Sequence, residues 1–461
     1  MDYSSVRATP ATSMLPMSTL SPLDGRYAEY VAPLVEYLSE DALNRARVTV
    51  EVEWLIYLVD TGILPGEFTP EEREEMRNIV VDPKELAEIE AETRHDVKAV
   101  EYYLRKRVKY PDIVHILCTS EDINNLAYAL TIKEAIEKVW LPAARHLSDE
   151  IADLAKAQRN QPMLSRTHGQ TATPTTLGKE MAVFSWRLSR QLERIHRTEY
   201  LGKINGATGT YGAHVVALPE ADWPKHSRAF VESLGLTWNP LTTQIESHDW
   251  QAELYADVAR FNRILHNFAT DVWTYISLGY FHQNLAAQGS TGSSTMPHKV
   301  NPIRFENAEA NLEISSALLD TLSATLVTSR LQRDLTDSTT QRNIGVALGH
   351  SLLAIDNVTR GLAGLDVDAA VLARDLDNSW EVLGEPIQQA MRAAAIKGAE
   401  GMDNPYERLK DLTRGQKVTE EVMRDFIKSL GIPEDVEARL LELTPAGYTG
   451  LASKLVDYLG E

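Results

Sequence analysis

Residues 254–275, LYADVARFNRILHNFATDVWTY, place apolar side chains at Leu254, Val258, Phe261, Leu265, Phe268, Val272 and Tyr275. The steps alternate between four and three, which is the a/d seam of one long helix sustained for about three heptads. No proline interrupts the chain between Pro240 and Pro297. A second seam runs Leu177, Met181, Phe184, Leu188, Leu192, Ile195, with Thr173 and Pro174 expected as its N-cap and first helical residue. A third follows at Leu312, Leu319, Leu322 and Leu326. A fourth helix is expected to start at Thr119-Ser120-Glu121-Asp122, a capping pattern with acids in the first turn, and to bend at Pro142. Long helices with one apolar stripe bury it against each other, so the expected fold is all-α, centred on a long-helix bundle. Stripes of this length exceed what one chain covers, and self-association is expected.

Outside the bundle the pattern changes. Residues 1–20 read as a disordered tail, without the basic and apolar regions of a secretory signal. Residues 21–114 read as an N-terminal helical domain broken at Pro33, Pro65, Pro70 and Pro83. The bundle spans 115–365, and 366–461 form a third helical domain with breaks at Pro386, Pro405, Pro433 and Pro445. Ala207 to Pro219 alone has a strand-like, glycine-punctuated look. The composition, 43% hydrophobic and 24% charged over 461 residues, is that of a soluble globular protein. Cys118 is the sole cysteine, which excludes intrachain disulfides and cysteine-rich zinc sites, suits a reducing cytoplasm, and is expected to be buried and inert. A net charge of −20 argues against nucleic acid or anionic membranes as partners. An anionic substrate would need arginine and lysine concentrated locally against that field.

Three polar blocks at helix boundaries carry the chemistry. Residues 289–307 begin Gly-Ser-Thr-Gly-Ser-Ser-Thr-Met-Pro-His-Lys and offer a hydroxyl (Ser293 or Ser294), mobile backbone N–H groups and Lys299. Those parts suit holding and protonating or deprotonating an anionic substrate, while a flexible linker is the bland alternative. The helix start at Thr119 and Ser120 can hold a carboxylate, though an ordinary N-cap explains both residues equally well. Ser165-Arg-Thr-His168-Gly-Gln-Thr171, also expected before a helix, supplies a histidine for proton transfer, although a lone histidine is more often structural. No phosphate-binding P-loop, dinucleotide fingerprint, hydrolase elbow or zinc-binding His-Glu-x-x-His is present.

Gly292-Ser-Ser-Thr-Met-Pro-His-Lys-Val-Asn-Pro302 resembles the signature of the fumarase/aspartase superfamily, whose members release fumarate from a succinyl group. His298, where relatives acting on malate, aspartate or argininosuccinate typically carry Gly, Ala or Gln, points to the branch that cleaves adenylosuccinate. Thr119 to Asn125, Arg166 to Gln170 and Ser21 to Tyr27 are similar to the same branch. The resemblance implies a homotetramer with a multi-chain helical core and shared sites, a cytoplasmic location, and neither cofactor nor metal. It implies Ser293 as base, His168 as general acid, Glu306 as the acid orienting His168, and Lys299, Ser294 and Asn301 around the developing charge. Arg26, Tyr27, Arg94, His95, Asp96, Thr119, Ser120, Gln244, Asn307, Arg333, Ser338 and Arg342 are implied substrate contacts, with Arg26, Arg333, Ser338 and Arg342 as the phosphate set. Arg94 and Arg304 depart from residues found in some relatives. The alternatives are a sister lyase of argininosuccinate type and a non-catalytic helical scaffold.

Overall fold

The computed structural model describes residues 18–284 and 295–460. Most of the expected tail, and Ser293 and Ser294 with the loop before them, lie outside the described residues. Helices α1 (Ala28–Leu38), α2 (Glu40–Asp60), α3 (Pro70–Arg77), α4 (Pro83–Thr93) and α5 (Asp96–Arg105) lead to α6 (Ser120–Ala135) and α7 (Leu141–Ala157). After α8 (Leu177–His196), α9 (Gly212–Ala217) and α10 (Trp223–Ser233) come α11 (Asp249–Ser277), α12 (Ile303–Leu326), α13 (Thr336–Gln341) and α14 (Ile344–Ala363). Shorter helices over 369–377, 384–396, 405–413, 420–428, 434–441 and 452–455 complete the chain. The all-α expectation holds: among the described residues the strands are only two or three residues long.

The seams are core. Leu254, Val258, Phe261, Leu265, Phe268 and Val272 are each at most 1% exposed, and Leu312, Leu319, Leu322 and Leu326 match them. The second seam is buried too, but α8 begins later than Thr173-Pro174. Thr175–Thr176 (β4) pair antiparallel with Pro162–Met163 (β1), and the Thr176 hydroxyl accepts from the Lys179 N–H at 3.1 Å. Strand pairing thus moved the cap down the chain. Near Pro142, α6 passes into α7 through a π-turn over Ile136–Trp140, a wider turn of the kind that absorbs the proline's missing N–H. Pro33 does not break α1 but lies inside it, on the exposed face where losing one backbone bond is tolerated. The segment that looked strand-like, Ala207 to Pro219, instead carries the helix Gly212–Ala217. Its glycines serve turns: Gly209 has φ 75°, and a side chain there would meet the Thr242 carbonyl at 2.4 Å.

The chain divides into two compact units. One takes residues up to Arg145, Arg190–His266 and Asn307–Asp356; the other takes His146–Ser189, Asn267–Glu306 and Asn357–Glu461. In the first, α2 packs most extensively on α6. A satellite core of Val48, Leu55, Met76, Leu86, Tyr103 and Val114 binds the N-terminal helices together. A buried polar chain sets the register of its long helices. Trp140 Nε1 donates to Ser351 Oγ (2.9 Å), Ser351 Oγ to Asn262 Oδ1 (2.7 Å), Asn262 Nδ2 to Ser315 Oγ (2.9 Å) and Ser315 Oγ to the Ala347 carbonyl (2.7 Å). Every link is satisfied, so sliding any one helix would break a hydrogen bond inside the core. In the second unit, Leu383, Ile387, Met391, Met423 and Ile427 form a core of their own.

Candidate active site

In the first unit the polar residues singled out from sequence gather around the start of α6. The Thr119 N–H donates to Asp122 Oδ2 at 2.9 Å, closing the expected cap. Asp122 is fully buried and does more than cap. Its Oδ1 accepts from Lys203 Nζ at 2.8 Å and from the Asn205 N–H at 3.0 Å, and its Oδ2 accepts from the Gly206 N–H at 3.1 Å. The helix start is therefore fixed to the glycine-rich segment that carries Ala207, whose carbonyl accepts from Gln244 Nε2 at 2.9 Å.

His95 caps α5. Its Nδ1 accepts from the Lys98 N–H at 3.2 Å, which makes Nε2 the protonated nitrogen of the neutral ring, 3.5 Å from Ser120 Oγ. Asp96 beside it joins two arginines: buried Arg47 at 2.7 Å and Arg342 at 3.1 Å. Burial alone would raise the Asp96 pKa, but Arg47, the Val97 N–H and Arg342 outweigh it and hold the carboxyl below its ordinary value. Arg342 also bonds Glu40. Arg47 Nε donates to Asn124 Oδ1 at 2.9 Å, Asn124 Nδ2 to Glu121 Oε1 at 2.9 Å, and Glu121 pairs with Arg333 at 2.7 Å. Arg333 stands 3.6 Å from Asp337, whose Oδ1 accepts from the Ser338 N–H at 2.6 Å. Burial, then the Glu121 carboxylate, pushes Asp337 up to about 6 against the pull of Arg333. One network thus brings Ser120, His95, Asp96, Arg333, Ser338 and Arg342 together. Tyr27 and Asn307 form a separate pair at 3.3 Å, while Arg26 and Arg94 are exposed.

The second unit holds the proton-transfer candidates. His168 is not at a helix start, as the sequence suggested, but at the tip of a hairpin between Arg166–Thr167 (β2) and Gln170–Thr171 (β3). His168 and Gly169 have φ of 54° and 75°, the paired positive values of a two-residue turn. The base of the hairpin is anchored. Arg166 donates to the Tyr280 hydroxyl at 2.7 Å and to Asp375 at 3.1 Å, and Tyr280 bonds Asp375. Burial and Asp375 push the Tyr280 phenol up to about 12, so it stays a donor. The His168 imidazole is exposed and takes no hydrogen bond from the described residues.

Lys299 is exposed, and Asn301 is half-buried where the loop enters α12. Gln283 Nε2 holds that end of the loop through the Val300 carbonyl at 3.0 Å. Glu306 accepts from Trp273 Nε1 at 3.1 Å, so within this unit its recorded partner is an indole, not His168. Arg304 bonds Asn357 at 3.1 Å.

Two family models match: "Lyase" over residues 43–313 and "Adenylosuccinate lyase C-terminal" over 329–449. The chain is 49% identical to the adenylosuccinate lyase of Escherichia coli (strain K12) over 457 residues, covering 96% of this chain and 99% of that protein. The adenylosuccinate lyase of Haemophilus influenzae is 48% identical over the same lengths. The chain belongs to the adenylosuccinate lyase family. Among solved structures, a fumarate lyase from Mesorhizobium sp. BNC1 matches with a TM-score of 0.75 at 20% identity, over 93% of this chain and 98% of that one. The 3-carboxy-cis,cis-muconate lactonizing enzyme from Pseudomonas putida matches at 0.71 and 21% identity, over 93% and 96%. At such identities these two likenesses speak for the fold alone.

Arg47, Glu121, Asp122, Asn124 and Lys203 of this adenylosuccinate lyase family member were not singled out from sequence as site residues. The signal was present in α2, where Arg47 and Glu51 interrupt an otherwise apolar face that runs through Val48, Val52 and Leu55. Ionised groups on a buried face are there because something pairs with them. Cys118 is half-buried, and desolvation followed by Asp122 and Glu51 keeps its thiol well above the ordinary value. The neutral thiol is favoured, while the side chain is half-buried rather than buried as expected.

Proposed function

We propose that this chain eliminates fumarate from adenylosuccinate to give AMP, and from the succinylated aminoimidazole carboxamide ribotide in the same way. The base takes the proton from the carbon next to a carboxylate; the C–N bond breaks, and its electron pair leaves on the purine nitrogen. His168 protonates that nitrogen, and Ser293 is the base. Charge develops on the neighbouring carboxylate, where Lys299, Ser294 and Asn301 stabilise it. Arg333, Ser338 and Arg342 bind the phosphate, with Arg26, Tyr27 and Arg94 as further contacts. Thr119, Ser120 and the protonated Nε2 of His95 face a carboxylate, and Gln244 and Asn307 complete the contacts. The observation that carries this reading is the continuous network from Ser120 to Arg342, which concentrates arginines and hydroxyls on one helix start of a chain with net charge −20.

The protein acts as a cytoplasmic homotetramer, with His168 and Glu306 meeting across copies. Large apolar side chains left exposed on the long helices, Val183, Trp186, Trp273 and Ile314, supply the association surface. The three-part division at about 114 and 365 is kept, supported by the separate cores of the N- and C-terminal helices. The test is fumarate release from purified protein offered adenylosuccinate, argininosuccinate, aspartate and malate in turn. Release from adenylosuccinate alone is expected. Release only from another substrate would discard the phosphate assignment, and release from none would discard the reading.

A further inference from the structure

Immediately before α6 the chain is strained. His115 and Leu117 have φ of 63° and 64°, and leucine, unlike glycine, asparagine or histidine, takes the left-handed region rarely. Such a turn persists only when its surroundings over-determine it. Two tethers from α2 do so. His115 Nδ1 lies 2.5 Å from Glu51 Oε1, and Trp54 Nε1 donates to the Ile116 carbonyl at 3.2 Å. The Glu51 side chain is completely buried, and its Oε2 has no hydrogen-bond partner among the described residues. A buried carboxylate with an unmet oxygen is costly, and nothing in the reaction uses it. Burial disfavours a charged His115, yet the Glu51 bond and the charges of Glu51, Glu101 and Asp122 raise its pKa above the ordinary value.

We propose that Glu51 and His115 are positioning residues: the bond between them holds the strained His115–Cys118 turn so that Thr119 and Ser120 face the substrate. This rests on the carboxylate role of the α6 start given above. A tether that only stabilised the fold would have no reason to act through Ser120.

The test is a double-mutant cycle on kcat/KM with adenylosuccinate. Glu51→Ala is expected to lower kcat/KM about tenfold or more with helical content and oligomeric state unchanged, and Glu51→Gln, which still accepts from His115, to recover most of the loss. Ser120→Ala measured alone reports on the carboxylate role. In the double variant the two losses are expected to be strongly less than multiplicative, because the clamp has nothing left to position. Should Glu51→Ala fail to fold, Trp54→Phe loosens the second tether in the same cycle. Multiplicative losses, or no rescue by Glu51→Gln, overturn the positioning role. A silent Ser120→Ala overturns the carboxylate reading, and the inference falls with it.

Discussion

Replacing Asp122 by asparagine is the sharpest test of how the start of α6 is held. The carboxylate accepts from Lys203 Nζ and from the backbone N–H groups of Thr119, Asn205 and Gly206, and both charged side chains are wholly buried. An amide keeps one acceptor oxygen but turns an NH2 toward at least one of those N–H donors. It also leaves the Lys203 ammonium with no counter-charge in direct contact. Breaking a buried pair from one side costs about 3–5 kcal/mol, several times the roughly 0–1 kcal/mol of an exposed pair. Arg73→Ala, which removes the surface pair with Asp60, is the control for that lower figure. Urea unfolding at one fixed protein concentration reads both, since oligomer stability depends on concentration. Asp122→Asn is expected to lose about 3–5 kcal/mol, and adding Lys203→Met to return part of it. A loss below about 1 kcal/mol, equal to the surface control, would refute the claim that this carboxylate anchors the site.

His168→Gln is expected to lower kcat by roughly 10²-fold or more while leaving the melting temperature unchanged, because the ring is exposed and carries no bond within the described residues. Arg342→Leu is expected to raise KM for adenylosuccinate by tenfold or so, with a smaller effect on kcat, as loss of a charge-assisted phosphate contact should; steady-state kinetics separates the two. Asp337 holds its proton up to a pH of about 6 in the folded chain against 3.8 ordinarily. Its contribution to stability is therefore complete at low pH and is lost as pH rises through that range. Asp337→Asn is expected to flatten the fall in melting temperature across that interval, and an unchanged slope would refute the assignment.

Much of the bundle could be read directly from residue spacing. The seam from Leu254 to Val272 repeats often enough that only a buried helix face accounts for it, and Leu312 to Leu326 behave likewise. What spacing could not reveal is pairing between distant segments. The Thr175–Thr176 strand displaced the expected helix cap because its partner, Pro162–Met163, lies elsewhere in the chain. The hairpin carrying His168 follows from the same kind of pairing, although His-Gly between polar residues is a legible two-residue turn. Among the site residues, those in short distinctive motifs (Thr119, His168, Lys299) stood out. Arg47, Glu51 and Lys203 act through partners many residues away, and their only local trace is a charge set among residues that belong inside.

Mixing two inactive variants tests the central claim most directly. His168→Gln and Ser293→Ala proteins, each without activity, are unfolded and refolded together in equal amounts so that subunits exchange. If each site takes His168 from one chain and Ser293 from another, random assembly leaves about one quarter of sites with both groups intact, and about a quarter of wild-type activity is expected. A mixture that stays inactive after confirmed subunit exchange would contradict the account.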